Sequence, residues 1–263
     1  MKEIVFLGGG RITSALVAGL HLSKFNKPIV VHDRNFHKLR QLRKLYRVSI
    51  ERDLRRAVDR ANILIVAVRP ASVSQVLSKI GGVDRPLIAV SLAAGIPLAK
   101  LRAMLGPPVK WVRAMPSPVS RVGHGLTAVT FDRSFPANRR REVQGFFEAV
   151  GEVVQIPEKK FDAFTVTYSS SHGYHALATL ARAAVALGLD EKRARSAAAH
   201  ALADGIVAWR EGNTSLTELL NEAATPGGIA ATVMEKMNQA GYQKAIRAGL
   251  EAGLRRAQRN AKL

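Results

Sequence analysis

A glycine-rich turn near the amino terminus carries the clearest chemical pattern in the sequence. Residues 8–13 read Gly-Gly-Gly-Arg-Ile-Thr, between the apolar run 3–7 and a stretch with apolar residues at helical spacing. In this context Gly8 permits a tight turn, and Gly10 lets a pyrophosphate approach the N–H groups that open a helix. Thr13 replaces the usual third glycine or alanine with a bulkier side chain. The turn predicts a dinucleotide-binding site, against the alternative of a plain strand-to-helix turn.

The end of the second predicted strand is where such proteins choose between cofactors. There a carboxylate binds ribose hydroxyls and repels a 2′-phosphate, whereas an arginine binds that phosphate. Asp33 and Arg34 stand side by side at this point and favour opposite cofactors, unless both are merely solvated. Lys38 adds positive charge, which favours NADPH and leaves NADH possible.

Strand and helix patterns alternate through the first part of the chain and stop after Pro157. Apolar runs predict strands at 3–7, 27–32, 63–68, 87–92, 109–113 and 126–131, with helical stretches at 12–22, 36–46, 54–60, 73–80 and 98–105. This alternation predicts an α/β fold, with an N-terminal Rossmann domain of doubly wound parallel sheet over residues 1–157.

The remaining residues, 158–263, contain no strand pattern and are rich in alanine. Helical stretches are expected at 174–187, 191–209, 229–239 and 243–260. A helical half this small often buries its apolar faces against a partner chain. The second half is therefore predicted to be an all-α dimerisation domain, which makes the protein a homodimer or higher homo-oligomer.

Composition narrows the class of protein further. The 263 residues are 47% hydrophobic, include no cysteine and carry a formal net charge of +20. We expect no membrane span, no signal peptide and a cytoplasmic location. The basic residues accompany no nucleic-acid-binding motif, so a solvated surface is preferred over a nucleic-acid site. The histidines show no metal-ligand spacing, so no metal is expected.

Several landmarks, in order along nearly the whole chain, resemble the pyrroline-5-carboxylate reductase family. They are Ala67-Val68-Arg69-Pro70, Ser91-Leu92-Ala93-Ala94-Gly95, Val112-Arg113-Ala114-Met115-Pro116-Ser117 with Gly123-His124-Gly125, and Thr225-Pro226-Gly227-Gly228. The family joins a Rossmann domain to a helical dimerisation domain. The resemblance implies an NAD(P)H-dependent oxidoreductase that reduces the C=N bond of a small cyclic imine, pyrroline-5-carboxylate (to proline) or a related imine.

The resemblance also implies roles for individual residues. Those expected at the cofactor, in addition to Arg34 at the end of the second strand, are Gly8, Gly10, Arg11, Ile12, Val68, Arg69, Pro70, Ala93, Ala94, Gly95 and Ser117. Those expected at the substrate are Met115, Thr225, Gly227, Gly228, Ile229 and Ala230. Arg69 stands where the family usually has lysine, Ser117 where it has asparagine, and Ala230 where it has threonine.

The stretch 168–174, Tyr-Ser-Ser-Ser-His-Gly-Tyr, departs most from the family pattern. Reduction of a C=N bond needs a protonated nitrogen, and histidine titrates near neutral pH. His172 and Tyr174 are therefore the candidate catalytic residues, with His175 a weaker one. The alternative is that these polar residues only open a helix, with Ser171 or His172 near its cap.

Three other functions remain open from the sequence. A regulatory paralogue that senses the dinucleotide without turnover would also keep the glycine turn beside an altered substrate region. A hydroxyacid-type dehydrogenase would share the two-domain plan, but no lysine with a nearby acid in the helical half suggests its proton acceptor. Nucleic-acid binding would require salt-dependent association through the basic surface.

Overall fold

A computed structural model describes residues 3–133 and 135–262 of the chain. By backbone contacts it divides into two compact units. The first contains the residues up to Tyr168 and those from Ala252 onwards, and the second is Ser169–Glu251.

The described residues of the first unit include eight strands. They are β1 (Glu3–Leu7), β2 (Ile29–His32), β3 (Ser49–Ile50), β4 (Ala61–Val66), β5 (Leu87–Ser91), β6 (Val109–Met115), β7 (Gly125–Phe131) and β8 (Gly151–Gln155). Its helices are α1 (Arg11–Leu22), α2 (Phe36–Tyr46), α3 (Leu54–Arg60), α4 (Pro70–Ile80), α5 (Leu98–Met104), α6 (Ala137–Glu148) and α7 (Glu158–Thr167). A short 3₁₀ helix, Pro118–Val122, lies between β6 and β7.

All eight strands form one sheet in the order β3-β2-β1-β4-β5-β6-β7-β8. Leu7 on β1 lies beside His32 on β2 and Val66 on β4, so the strand order reverses at β1. A reversal of this kind opens a crevice at the carboxyl ends of the strands, because the loops there turn to opposite faces of the sheet.

Helices cover both faces of the sheet, because the inner strands carry buried apolar residues on both of their faces. Ile4 and Phe6 of β1 belong to one core cluster together with residues of α1, α2 and α6. Val5 and Leu7 belong to a second cluster together with residues of α3, α4 and α5. The predicted doubly wound α/β fold is confirmed.

Two details of the sheet go beyond the parallel arrangement predicted from the sequence. β6 and β7 pair in antiparallel fashion, because a short connection through the 3₁₀ helix cannot make the crossover that parallel neighbours need. β3 and β8 were not predicted, since one has two residues and the other has only partly buried or exposed side chains. The helices α6 and α7 were also missed.

The second unit is entirely helical, as predicted. It contains α8 (Ser170–Ala186), α9 (Glu191–Glu211), α10 (Leu216–Ala223), α11 (Ile229–Gln239) and the start of α12 (Tyr242–Asn260). Ala181 of α8 and Ala194 and Ala198 of α9 are buried, which is how small side chains let two helices approach closely. Within the described residues, no helix combines the length and apolar character that crossing a bilayer requires.

Candidate dinucleotide site

A cleft of about 820 Å³ opens at the carboxyl ends of β1, β2 and β4, where the strand order reverses. Its floor is the glycine turn, and the loops after β2, β3 and β4 form its walls. Apolar side chains that include Leu45, Leu54 and Val76 contribute one part of the lining. This combination suits a ligand with a flat apolar ring and charged groups.

The glycine turn has the backbone geometry that a phosphate cradle needs. Gly8 has a φ of +108°, and a Cβ there would lie 2.6 Å from the carbonyl oxygen of Ala67, so only glycine fits. A Cβ on Gly10 would meet nothing within 4 Å. Gly10 is also the N-cap of α1 and has no side chain to occupy the helix N-terminus. Open space in front of helix N–H groups is what a pyrophosphate requires.

Thr13 is accommodated at the position where the sequence pattern departs from its usual form. Its side chain is completely buried, and its hydroxyl donates a 2.5 Å hydrogen bond to the carbonyl oxygen of Gly8. The bond ties the first turn of α1 to the glycine turn. The substitution therefore fixes the shape of the cradle instead of disturbing it.

Asp33 is engaged by backbone groups on both of its carboxylate oxygens. Its Oδ2 accepts a 2.7 Å hydrogen bond from the Gly9 N–H, and its Oδ1 accepts one of 2.7 Å from the Asn35 N–H. The carboxylate thus holds the loop after β2 against the glycine turn. Arg34 and Lys38 are exposed and line the cleft. Asp33 therefore has a structural role in this loop, whereas Arg34 and Lys38 remain available to a ligand.

The cleft is strongly positive, and its cations have no carboxylate partners among the residues that the structure describes. Six basic side chains line it against two acidic ones: Arg11, Arg34, Lys38, Arg52, Arg69 and Lys79 against Asp33 and Asp53. None of the six forms an ion pair within the described part of the chain. Elsewhere arginines such as Arg60 and Arg102 are paired. Unpaired cations around an open cradle attract an anionic ligand.

The structure places about half of the predicted cofactor residues on the cleft wall. These are Gly8, Gly10, Arg11, Arg34, Val68 and Arg69, whereas Ile12, Pro70, Ala93, Ala94, Gly95 and Ser117 lie outside its lining. The side chain of Ile12 packs against the core, which leaves only its backbone for a phosphate. The residues that follow β5 and β6 lie further along the same sheet edge, about 14–19 Å from β2 at three or four strand spacings.

The loop after β5 is held by the last turn of α12, which belongs to the same compact unit. Asn260, almost fully buried, donates a 3.2 Å hydrogen bond from Nδ2 to the carbonyl oxygen of Ala94. Gly95 has a φ of +80°, and a Cβ on it would lie 2.2 Å from the carbonyl oxygen of Ala257. Sequence patterns gave no sign of this contact, which joins residues about 160 positions apart.

Arg113, just before the predicted substrate residue Met115, is a buried charge at the centre of a small network. Its guanidinium forms an ion pair with Asp162 and lies 3.6 Å from Glu158 Oε1 and 4.6 Å from the Phe161 ring centroid. Ser117, two residues beyond Met115, is also buried, and its Oγ accepts a 3.1 Å hydrogen bond from the Val119 N–H. The turn after β6 is therefore fixed from both ends.

The predicted substrate loop lies in the second unit and ends at a helix N-terminus. The Gly228 N–H donates a 2.9 Å hydrogen bond to the carbonyl oxygen of Thr225, and Gly227 has a φ of +74°. Gly228 is the N-cap of α11, so Ile229 and Ala230 form its first turn. All except Gly228 are exposed in the chain. The first backbone N–H groups of α11 have no partner within the helix, as at any helix N-terminus.

His172 and Tyr174 both lie in the first turns of α8, whose N-cap is Ser169. Ser171 and His172 are therefore near the cap, as the alternative interpretation expected. Because His172 and Tyr174 are two residues apart on a helix, their side chains leave the helix in directions about 160° from each other, so they face different sides of α8. Tyr174 lines an apolar groove of about 480 Å³ between α8 and α9 with Leu177 and Val185. The described residues contain no group of three histidine or acidic side chains that could hold a metal ion.

The reversal of strand order, the glycine cradle and the unpaired cations define a dinucleotide-binding protein of the doubly wound α/β class. Residues 3–95 match the family model described as "NADP oxidoreductase coenzyme F420-dependent", and residues 158–260 match that for pyrroline-5-carboxylate reductase dimerisation.

Similar proteins match along almost the entire chain. A pyrroline-5-carboxylate reductase from Corynebacterium melassecola is 30% identical, with 94% of both chains covered, and one from Synechocystis sp. is 28% identical, with 97% of both covered. The crystal structure of the Plasmodium falciparum pyrroline carboxylate reductase with NADP bound has the same fold, with a TM-score of 0.87 at 19% identity over 99% of this chain and 98% of that one. The chain belongs to the pyrroline-5-carboxylate reductase family.

Proposed function

We propose that the protein is an NAD(P)H-dependent reductase of pyrroline-5-carboxylate or a closely related cyclic imine, and that NADPH is its preferred cofactor. One observation carries the proposal. In a chain that matches these reductases from end to end, the cradle at Gly10 is open and is surrounded by unpaired cations. A family member that had lost its cofactor would be free to fill that space.

The residues of the cleft fit the parts of a dinucleotide phosphate. The N–H groups at the start of α1 would bind the pyrophosphate, together with Arg11, which lines the same cleft. Arg34 and Lys38 would hold the 2′-phosphate, because a guanidinium can bind it with two hydrogen bonds. The nicotinamide half would extend towards Ala93–Gly95 and Ser117, at the ends of β5 and β6. When bound, the reduced cofactor supplies a hydride to the carbon of the C=N bond.

The chain must bind the substrate's carboxylate and protonate its nitrogen. We assign the carboxylate to Thr225, Gly227 and Gly228, where the N-terminus of α11 contributes partial positive charge. Ile229 and Ala230 would form a more apolar edge beside this carboxylate site. Met115, the other predicted substrate residue, lies in the first unit at the end of β6.

Proton delivery would fall to His172 or to Tyr174, but not to both, because they point to different sides of α8. His172→Gln and Tyr174→Phe distinguish them. Loss of the acid that protonates the nitrogen should flatten the alkaline fall of the rate against pH, whereas loss of a structural residue should lower the rate equally at all pH values.

We further propose that residues 1–157 form the cofactor domain and residues 158–263 the substrate and dimerisation domain. Large apolar side chains of the second unit are exposed in the single chain, including Leu187 at 89% and Ile206 at 55%. Apolar surface of this extent is usually covered by a partner, and the family model for dimerisation makes a second copy the expected one. The absence of cysteine agrees with a reducing compartment such as the cytoplasm.

A turnover screen tests the function. Oxidation of NADPH and NADH should be followed with five- and six-membered cyclic imines, each with and without a carboxylate. We expect turnover of the five-membered carboxylate or a close relative, with NADPH preferred. The Gly10→Val variant controls for contaminating reductases. Binding of NADPH without turnover of any imine would instead favour a dinucleotide-sensing paralogue.

A further inference from the structure

We infer that Arg52, from the loop between β3 and α3, is a specificity-determining residue that recognises the 2′-phosphate of NADPH together with Arg34 and Lys38. The inference rests on the proposed function, since it concerns the cofactor of that site. Neither the family landmarks nor the usual position of the ribose selector point to Arg52. It follows the edge strand β3, which the sequence did not predict.

The topology brings Arg52 to the same edge of the sheet as Arg34. β3 runs parallel to β2, with Val31 beside Ile50, so the loops that follow the two strands emerge together. Two hydrogen bonds fix this pairing beyond the strands. The Glu51 N–H donates to the Val31 carbonyl oxygen at 3.1 Å, and the His32 Nδ1 lies 3.1 Å from the Glu51 carbonyl oxygen.

The loop that carries Arg52 is held on both sides of it. The Asp53 N–H donates a 3.0 Å hydrogen bond to Glu51 Oε1, and the Asp53 side chain caps α3 by accepting a 2.8 Å hydrogen bond from the Arg56 N–H. The backbone at Arg52 therefore has little freedom. Its side chain projects into the cleft that Arg34 and Lys38 also line.

Phe36 orients the guanidinium of Arg52. The Cζ atom of Arg52 lies 4.9 Å from the centroid of the Phe36 ring, within the range of a cation–π interaction. Stacking lowers the entropy that an exposed arginine would lose when it binds an anion. No carboxylate neutralises Arg52 within the described part of the chain, so its charge remains available to a phosphate.

Arg40 provides a matched control from the same neighbourhood. Its Cζ lies 4.8 Å from the same Phe36 ring, and it is also exposed and free of ion pairs in the described residues. Unlike Arg52, Arg40 does not line the cleft. Removal of Arg40 takes away the same charge and a contact with the same ring, without removing a ligand of the proposed phosphate.

The experiment compares Arg52→Ala, Arg52→Lys and Arg40→Ala by isothermal titration calorimetry. The titrants are NADP⁺ and NAD⁺, and then adenosine 2′,5′-bisphosphate and 5′-AMP, so that the result does not depend on imine turnover. Arg52→Ala should lower the affinity for both ligands that carry the 2′-phosphate by about tenfold, because charge-assisted hydrogen bonds are lost. It should change the affinities for NAD⁺ and 5′-AMP by less than about twofold.

Arg52→Lys should keep only part of the 2′-phosphate preference, because lysine lacks the planar fork. Arg40→Ala should change all four affinities by less than about twofold. The preference of the wild type should also decrease with added salt, since the contact is exposed.

Equal effects of Arg52→Ala and Arg40→Ala would overturn the role of Arg52, as would equal losses for the two kinds of ligand. Either result would leave the proposed function standing. Failure of the wild type to bind any of the four ligands would refute the proposed cofactor site itself. Thermal unfolding of each variant shows whether a loss of affinity comes from a loss of fold.

Discussion

Substitution of Gly10 by valine should separate cofactor binding from folding. A Cβ at this position meets no atom within 4 Å, and the backbone of Gly10, with φ −80° and ψ −171°, is extended and open to any residue. The valine side chain would therefore occupy empty space in the folded chain. That space is where the pyrophosphate must approach the N–H groups of α1.

The expected changes can be worked out separately for the fold and the ligand. Valine is a poorer N-cap than glycine, which costs about 0.5–1 kcal/mol and lowers Tm by about 1–4 °C in a chain of this size. Loss of about two charge-assisted hydrogen bonds to the pyrophosphate costs about 3–6 kcal/mol. At 1.4 kcal/mol for each tenfold, the Kd for NADPH should rise by about 10²- to 10⁴-fold.

The assay combines thermal unfolding with calorimetric titration of NADPH and NADH. Gly8→Ala is the contrasting variant, because its φ of +108° and the nearby carbonyl of Ala67 predict damage to the fold itself. A folded Gly10→Val variant that binds either cofactor within about threefold of the wild type would refute the reasoning and move the site elsewhere. An unfolded variant would show that Gly10 is needed for the fold.

Three further predictions concern other parts of the chain. Gly95→Ala should lower the free energy of unfolding, measured by denaturant titration, by more than about 2 kcal/mol, because Gly95 has a positive φ and α12 lies close to it. Gly82→Ala is the control and should cost less than about 1 kcal/mol, since Gly82 has open space around it and no positive φ. Asp162→Asn should cost up to about 3 kcal/mol by the same measure, since it removes the ion pair with the buried Arg113 and leaves Arg113 with the more distant Glu158. An unchanged midpoint would show that the pair with Asp162 is unimportant. Ala230→Thr should raise kcat/KM for pyrroline-5-carboxylate about tenfold by restoring a hydroxyl, and should lower it for a larger imine that uses the vacated space; a decrease for pyrroline-5-carboxylate would contradict this role.

Much of the fold could be predicted from local patterns, because the periodicity of a strand or a helix depends only on residues close together in the sequence. The buried run before Gly8 and the helical spacing after Thr13 predict β1 and α1 wherever the rest of the chain lies. The helices at 36–46, 54–60 and 229–239 begin and end where the patterns placed them. β3 was missed because a strand of two residues is too short to show an alternation of apolar and polar side chains. The antiparallel β7 was assigned to a parallel sheet because strand direction leaves no mark on apolar runs.

The site divides in the same way. The sequence by itself determined the glycine turn, the neighbouring Asp33 and Arg34 and the family to which the chain belongs, since these depend on residue types in a fixed local order. Only the tertiary structure decided that Asp33 is engaged by the backbone and that Arg52, among several basic residues nearby, lines the cleft beside Phe36. A charge acts through its distance and its neighbours, and both are set by how strands far apart in the chain pair along one sheet edge.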